Sequence, residues 1–359
     1  IESPLGYEIF SVYTGDDIPS GKLLNPKDFY VYDNKIIYIL DSGKNRIVIL
    51  NSDYSFKSSI DMLYLNGQES PMNDPTGIFV ADEDKIYIAD PLNQRALCID
   101  SSGNILKMFT KPDSVLFPQE RSFTPTKILS DEGENVFCIA VGIYQGAVGF
   151  DSQGEFIGYF GANDVTISVR MLLDRFYKRV FSKENRDRFA DYIPIEYTSF
   201  DIDSEGFVYT CTEQISDTRL MIKKLNPLGE NIMIPLIESS YQQGFGDLNP
   251  RIDSSGINHS RFIDVSVDRR GNINALDFSM GRVFKYDPDG NLMFVFGGFG
   301  NRLGRFITPL AIETINDDIL ILDSGSNTIH TFKPTNFSIT VFKAIELYQD
   351  GRYIESIEP

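Results

Sequence analysis

Short apolar runs rich in β-branched and aromatic residues alternate along this chain with clusters of Asp, Asn, Ser and Gly. The clearest example is the stretch Asp74–Ile105, in which the polar segments Glu-Asp-Lys and Pro-Leu-Asn-Gln-Arg separate three such runs. A fourth run, Ile105–Phe109, follows the segment Ser-Ser-Gly-Asn. Short runs of this composition bounded by turn residues are typical of β-strands. The stretch therefore predicts a four-stranded antiparallel meander.

Degenerate copies of this unit recur from one end of the chain to the other. The copies begin near Asn25, Asp74, Thr124, Tyr197, Ile263 and Pro309. One such sheet cannot bury both of its faces, so the copies must stack, and a closed ring leaves no exposed end. The sixth copy lacks a fourth strand, whereas the N-terminal run Tyr7–Tyr13 has no partner of its own. We therefore predict an all-β fold, a six-bladed β-propeller closed by this N-terminal strand.

A polar pair marks the turn between the second and third strands of three copies. The pairs are Asp41 with Arg46, Asp90 with Arg95, and Asp277 with Arg282. Together with the pattern Ala-Asp-x-x-Asn-x-Arg and the Asp-x-x-Gly turn that follows, this spacing resembles the NHL repeat over nearly the whole chain. Because a repeated pair serves each blade, we expect the arginine to neutralise the aspartate and to bond the carbonyls of the turn. Ligand contact is the alternative.

The C-terminal tail departs from the strand pattern. Apolar residues recur at helical spacing over Val341–Tyr348, and Gly351–Ile357 resembles the middle of a tetratricopeptide repeat. These features divide the chain into an NHL-type propeller, residues 1–337, and the start of a truncated tetratricopeptide-like helical region, residues 338–359. The combination is similar to bacterial surface proteins in which an exported NHL propeller precedes tetratricopeptide repeats and membrane helices. The resemblance implies an extracytoplasmic protein at the cell surface, anchored through regions outside this sequence.

Charge and composition narrow the classes of partner. The 359 residues carry a formal net charge of −18, which argues against nucleic acid, since its binding depends on cationic neutralisation of phosphates. No apolar run approaches the roughly 18 residues that span a bilayer, so we expect no direct membrane insertion of this region. Cys98, Cys138 and Cys211 lie within apolar strand-like runs and are expected to be buried free thiols.

The long insertions all lie between copies of the repeat. They are Asp61–Asn73, Thr110–Phe123, Ala162–Pro194 and Ile234–Arg261. Because successive strands of a meander alternate in direction, the links between copies share one face of the ring with the turns between second and third strands. Long insertions on one face of a repeat fold are where binding usually occurs. This face is therefore expected to carry the function.

The insertion 162–194, between blades 3 and 4, is predicted to be helical. Its apolar residues follow a helical period over Val165–Val180, and basic residues outnumber acidic ones on a strongly acidic protein. Arg170, Arg175 and Arg179 are therefore candidates for contact with an anionic ligand or partner. The alternative is a helical hairpin that only caps the channel, with its charges in solvent.

The insertion 234–261 is rich in Gly and Ser and is predicted to be an irregular loop. Its candidate ligand-binding residues are Tyr241, Phe245, Asp247 and His259, since exposed aromatic rings beside carboxylates suit a carbohydrate or a peptide. The alternative is that the aromatic residues anchor the loop.

Groups suited to catalysis are sparse. Two histidines, His259 and His330, are too few for a zinc lyase of the amidating type, and no Gly-x-Ser-x-Gly elbow occurs. The remaining enzymatic hypothesis is a calcium-dependent lactonase similar to the six-bladed gluconolactonases, whose metal would need oxygen ligands at the mouth of the channel. Glu196 and Asp264, at the starts of the inner strands of copies four and five, are the candidate ligands.

The sequence thus favours a monomeric, non-enzymatic recognition module without a cofactor. We expect it to bind a protein, peptide or glycan through its insertion-bearing face. The alternative is a calcium-dependent, lactonase-like hydrolase with an axial metal, and a third interpretation is a purely structural spacer.

Overall fold

A computed structural model describes most of the chain. The described residues are 4–161, 197–213, 220–233, 244–246, 251–253 and 256–357. Within them, six antiparallel sheets form the blades of a propeller. The predicted helical insertion 162–194 lies outside the described residues.

The first three blades are complete four-stranded meanders. Blade 1 consists of Asp28–Tyr32, Ile36–Asp41, Arg46–Asn51 and Phe56–Ile60. Blade 2 consists of Gly77–Asp82, Lys85–Asp90, Arg95–Ile99 and Ile105–Phe109. Blade 3 consists of Pro125–Ser130, Val136–Ala140, Ala147–Phe150 and Phe156–Phe160.

The remaining blades follow the same order. Blade 4 consists of Tyr197–Ile202, Val208–Thr212 and Ile222–Leu225. Blade 5 consists of Phe262–Val267, Ile273–Asp277, Arg282–Tyr286 and Leu292–Gly297. Blade 6 consists of Pro309–Ile315, Asp318–Asp323, Thr328–Pro334 and the N-terminal strand Tyr7–Tyr13. Two short hairpins, Tyr64–Leu65 with Gln68–Glu69 and Arg251–Asp253 with Gly256–Asn258, lie in links between blades.

The ring is closed in the way the sequence predicts. The first strand of each blade, its inner strand, packs against the inner strands of both neighbouring blades around the whole circle. Tyr7–Tyr13 pairs antiparallel with Thr328–Pro334, so the N-terminal strand supplies the fourth strand of blade 6. Both ends of the propeller domain therefore meet within one sheet.

The hydrophobic core lies between the blades. Ile36–Asp41 and Arg95–Ile99 are buried along their whole length, because each sheet is covered on both faces by its neighbours. The outer strand Ile105–Phe109 alternates between exposed and buried positions, as expected for a strand that also faces solvent. All three cysteines are buried and unpaired, which confirms the prediction.

The loops divide between two faces of the ring. Turns between second and third strands, and the links between blades, lie on one face, which we call the link face. Turns between first and second strands, and between third and fourth strands, lie on the opposite face, which we call the turn face. This division follows from the antiparallel order of every blade.

The Asp–Arg pairs stabilise the links. In blade 1, Arg46 Nε lies 2.7 Å from Asp41 Oδ2, and the side chains are 2% and 0% exposed. Arg46 also donates to the backbone carbonyls of Ser20–Lys22, and the Leu24 amide donates to Asp41. The prediction of a structural pair is therefore confirmed for this blade, but the carbonyls belong to the preceding link and not to the turn.

The C-terminal helix, α1 (Asn336–Gln349), packs on the propeller. Its N-cap is Thr335, whose side chain accepts a hydrogen bond from the Ser338 amide. Ser338 donates to the carbonyl of Gly6, and the buried ring of Phe342 meets Phe294 edge-on at 6.0 Å. The helix is thus attached to the last two blades. Among the described residues, no helix is long and apolar enough to cross a membrane.

Candidate functional site

Six equivalent positions of the inner strands form one level of side chains around the axis. Each position pairs with the penultimate residue of the second strand of its blade. In blade order, the residues are Asp28, Gly77, Lys127, Ser199, Asp264 and Ala311. Three of the six are charged, and they lie on the alternate blades 1, 3 and 5.

Lys127 joins the two carboxylates of this level. Its Nζ lies 2.8 Å from Asp28 Oδ1 and 3.1 Å from Asp264 Oδ1. Burial alone would lower the pKa of Lys127, but the attraction of Asp264 and Asp28 outweighs it and raises that pKa. Burial raises the pKa of Asp28 to about 6, although Lys127 opposes the shift. The level therefore holds one ammonium group between two carboxyl groups.

The same two aspartates also bond the open edges of neighbouring strands. Asp28 Oδ2 accepts a hydrogen bond of 3.0 Å from the Ile78 amide in blade 2. Asp264 Oδ2 accepts one of 2.8 Å from the Ile312 amide in blade 6. Inner strands have one edge without a neighbouring strand, and buried amides on such an edge need an acceptor. These carboxylates thus hold adjacent blades together at the axis.

A second level lies two residues further along the inner strands. Its members are Tyr30, Phe79, Leu129, Asp201, Ser266 and Glu313. Asp201 accepts a hydrogen bond from the Val267 amide, and burial raises its pKa to about 7. Burial, followed by repulsion from Asp201, raises the pKa of Glu313 well above its ordinary value. This level therefore holds two half-buried carboxyl groups that retain protons more strongly than carboxyl groups in water.

The space between these levels is narrow. The cavity at the axis, lined by Asp28, Lys127, Asp201, Asp264 and Glu313 among others, has a volume of about 20 Å³. Such a volume holds about one water molecule, whereas sites for organic ligands usually measure roughly 300–1,000 Å³. The space between these two levels is therefore too narrow for an organic substrate.

Asp264, a candidate calcium ligand, is already engaged. Its Oδ1 accepts hydrogen bonds from Lys127 and Ser199, and its Oδ2 accepts one from Ile312. Calcium takes about six to eight oxygen ligands, and the described residues contain no group of three or more His, Cys, Asp or Glu residues placed to hold a metal. Asp264 in this arrangement does not fit a calcium ion. Glu196, the other candidate, lies outside the described residues.

Most of the predicted ligand-binding residues also lie outside the described residues. These are Arg170, Arg175, Arg179, Tyr241 and Asp247. Phe245 is buried, and its ring meets that of Tyr286 edge-on at 5.1 Å, so it anchors the loop to blade 5. His259 is exposed. His330 is buried against Phe306, in line with its position in a strand.

A larger cavity lies on the link face, between blade 5 and the link 298–308 that leads to blade 6. Its volume is about 260 Å³, and its lining residues are Met280, Arg282, Gly297, Gly298, Phe299 and Arg305. The sequence did not predict this cavity, because binding sites were expected in the four long insertions and the link 298–308 is shorter than any of them. The available signal was the segment Gly-Gly-Phe-Gly followed within a few residues by arginines.

Comparisons with known proteins show the fold and no family. No protein-family model matches the sequence, and no curated protein matches it. A streptogramin B lyase structure matches with a TM-score of 0.53 and 9% identity, over 92% of this chain and 98% of that one. A catalytically inactive virginiamycin B lyase from Staphylococcus aureus with quinupristin matches with a TM-score of 0.50 and 8% identity, over 86% and 80%.

A third solved structure is the extracellular domain of the one-component system BT4673 from B. thetaiotaomicron. Its TM-score is 0.48 and its identity 11%, over 92% of this chain and 35% of that one. The identities of 8% and 9% to the two lyase structures show a shared propeller fold alone, since one fold hosts many functions.

Proposed function

We propose that this chain is a non-enzymatic, extracytoplasmic recognition module that binds a protein, peptide or glycan through its link face. One observation carries the proposal: large apolar side chains exposed in turns and links collect on that face. They include Leu24, Leu92, Val115, Leu116, Val141, Tyr144, Phe299, Leu303 and Ile307. In the described turns of the turn face, one large apolar side chain is exposed, Leu228. The other exposed apolar side chains on that side, such as Ile339, Tyr348 and Ile354, belong to α1 and the segment after it. Apolar groups gathered on one face are typical of interaction surfaces.

The axis supports the same proposal. The space between its two levels of side chains has room for about one water molecule, and the charge of its carboxylates is partly balanced by Lys127. A recognition function needs no channel, whereas a hydrolase acting at the axis needs space for its substrate. We further propose that the blades are NHL-type repeats, on the basis of their Asp–Arg pairs, and that residues 338–359 begin a tetratricopeptide-like region.

The test compares the two faces. The wild-type chain is screened against glycan and peptide arrays, and each ligand found is measured against two link-face variants, Val141→Glu/Tyr144→Ser and Phe299→Ser/Leu303→Glu. Leu228→Glu on the turn face is the matched control, because it also replaces an exposed apolar side chain. We expect at least one link-face variant to lose binding and the control to keep it. Loss in the control alone would contradict the proposal.

A further inference from the structure

We propose that the cavity between blade 5 and the link 298–308 binds a small organic carboxylate attached to a compact ring. This inference rests on the proposed recognition function and names a ligand class for one part of the link face. It follows from how two arginines, two glycines and one phenylalanine are placed around the 260 Å³ space.

Two arginines meet Gly297, one through its backbone and one through its side chain. Gly297 is the cross-strand partner of Arg282 in blade 5. The carbonyl of Gly297 also accepts a hydrogen bond from Nη1 of Arg305. Both arginines line the cavity, and Arg305 is the one whose guanidinium is anchored by the Gly297 carbonyl.

The two arginines differ in their contacts. Nη2 of Arg282 lies 3.3 Å from Oδ2 of Asp277, a carboxylate that is fully buried. Among the described residues, no carboxylate lies within salt-bridge distance of Arg305, whose partner is the Gly297 carbonyl. Arg305 is exposed, and a guanidinium has five N–H donors, so it has donors left for an anion in the cavity. Arginine binds carboxylates through its planar fork of N–H donors, which favours a carboxylate as that anion.

The backbone beside Arg305 is shaped to admit its guanidinium. Gly298 has a φ of +137°, a conformation that residues with a side chain rarely adopt. A Cβ at this position would overlap Nη1 of Arg305. The link is closed by hydrogen bonds of 3.0 Å between residues 298 and 306 and between 300 and 306. The arginine is thus seated in a fixed loop.

Phe299 supplies an apolar wall. Its side chain is 45% exposed, and its ring meets that of Phe278 edge-on at 6.4 Å. A volume of about 260 Å³ is slightly below the usual range of roughly 300–1,000 Å³ for sites of drug-sized ligands. A cavity of this size suits one ring bearing a carboxylate, such as a sugar acid or an aromatic amino acid with a free carboxylate.

The experiment is isothermal titration of the whole chain with D-glucuronate and N-acetyl-phenylalaninate, and with their neutral counterparts D-glucose and N-acetyl-phenylalaninamide. The variants are Arg305→Gln, Gly298→Ala and Phe299→Ala. Arg302→Gln and Leu228→Ala are matched controls, because these exposed residues do not line the cavity. Thermal melts verify that each variant is folded.

We expect at least one carboxylate to bind while its neutral counterpart does not. Arg305→Gln should weaken binding about tenfold or more, the loss expected for one charge-assisted contact, and Arg302→Gln should leave it unchanged. The identity of the carboxylate that binds distinguishes a sugar acid from an amino acid. Equal binding of the neutral counterparts, equal loss in Arg302→Gln, or no binding at millimolar concentration would overturn the inference.

The two proposals fail separately. If no carboxylate binds but Val141→Glu/Tyr144→Ser still loses binding of an array ligand, the recognition function is supported and the carboxylate site is refuted. If a carboxylate binds through Arg305 but no link-face variant weakens binding of an array ligand, the carboxylate site is supported and the broader recognition function is refuted.

Discussion

The ammonium nitrogen of Lys127 on blade 3 lies 3.1 Å from a carboxylate oxygen of Asp264 on blade 5. It also lies 2.8 Å from a carboxylate oxygen of Asp28 on blade 1. One side chain thus joins three blades that are not neighbours in the ring. Each aspartate also accepts a hydrogen bond from an amide of the next blade. The ion pairs of Lys127 therefore stabilise the same carboxylates that hold adjacent blades together.

The first prediction concerns the loss of this cation. Lys127→Met keeps most of the side-chain length but leaves Asp28 and Asp264 buried without a counterion. Removing one partner of a buried pair costs about 3–5 kcal/mol. We therefore expect the free energy of unfolding, measured in urea by circular dichroism, to fall by about that amount.

The control is Lys57→Met. Lys57 pairs with Glu83, but these side chains are 38% and 55% exposed, and surface pairs contribute about 0–1 kcal/mol. If Lys127→Met costs no more than Lys57→Met, the axial contact does not stabilise the ring. Adding Asp28→Asn to Lys127→Met should recover part of the loss, since it removes one unpaired charge.

The second prediction concerns pH. Burial raises the pKa of Asp201 from 3.8 to about 7, so between these values the folded chain holds a proton that the unfolded chain has released. The contribution of Asp201 to the free energy of unfolding is fully present below pH 3.8 and is lost as the pH rises to about 7. Asp201→Asn stays neutral and keeps an oxygen acceptor, so at pH 8 it should be more stable than the wild type by about 1–3 kcal/mol.

The measurement is urea unfolding of both proteins from pH 5 to pH 8. The difference between them isolates Asp201, because other groups shift with either sign: burial raises the pKa of Asp28 and lowers that of His330. Asp289→Asn, at an exposed turn, is the control and should follow the wild type. Parallel curves for Asp201→Asn and the wild type would contradict this explanation.

The architecture was predictable because the repeat is local. Each copy carries its own turn residues. Once a closed ring is required, the unpaired run Tyr7–Tyr13 can pair only with the sixth copy, which lacks a fourth strand. The C-terminal helix was predictable from its apolar spacing. Its attachment to the propeller was not, because the contact of Phe342 with Phe294 joins residues that no sequence period connects.

The axial level was only partly predictable for the same reason. Asp264 was singled out by its place at the start of an inner strand. Lys127 and Asp28 were not, because their meeting depends on the curvature of the ring and on which residues share one level. A buried carboxylate can be neutralised by a lysine side chain or by a metal ion, and the sequence contains the same aspartates in either case. The sequence alone could therefore not tell whether Asp264 pairs with a lysine or binds a metal.

The third prediction concerns the attachment of α1. Phe342 is buried against Phe294, and truncating a core Phe to Ala typically costs about 3–5 kcal/mol. Phe342→Ala should therefore lower the free energy of unfolding of the whole propeller. Ile339→Ala, on the same helix at a side chain that is 51% exposed, should change it by at most about 0.5 kcal/mol. Equal effects would mean that the helix is not part of the cooperative unit.

The fourth prediction separates the side-chain cation from a metal. If Lys127 is the axial cation, the wild type should melt at the same temperature in millimolar calcium and in chelator, because a ligand that does not bind contributes no stabilisation. Lys127→Met leaves two carboxylates without a cation, so calcium should stabilise this variant more than the wild type. Differential scanning calorimetry measures both. A wild-type melt that rises by several degrees in calcium, and loses this rise in Asp264→Asn, would contradict the assignment and support the lactonase-like alternative.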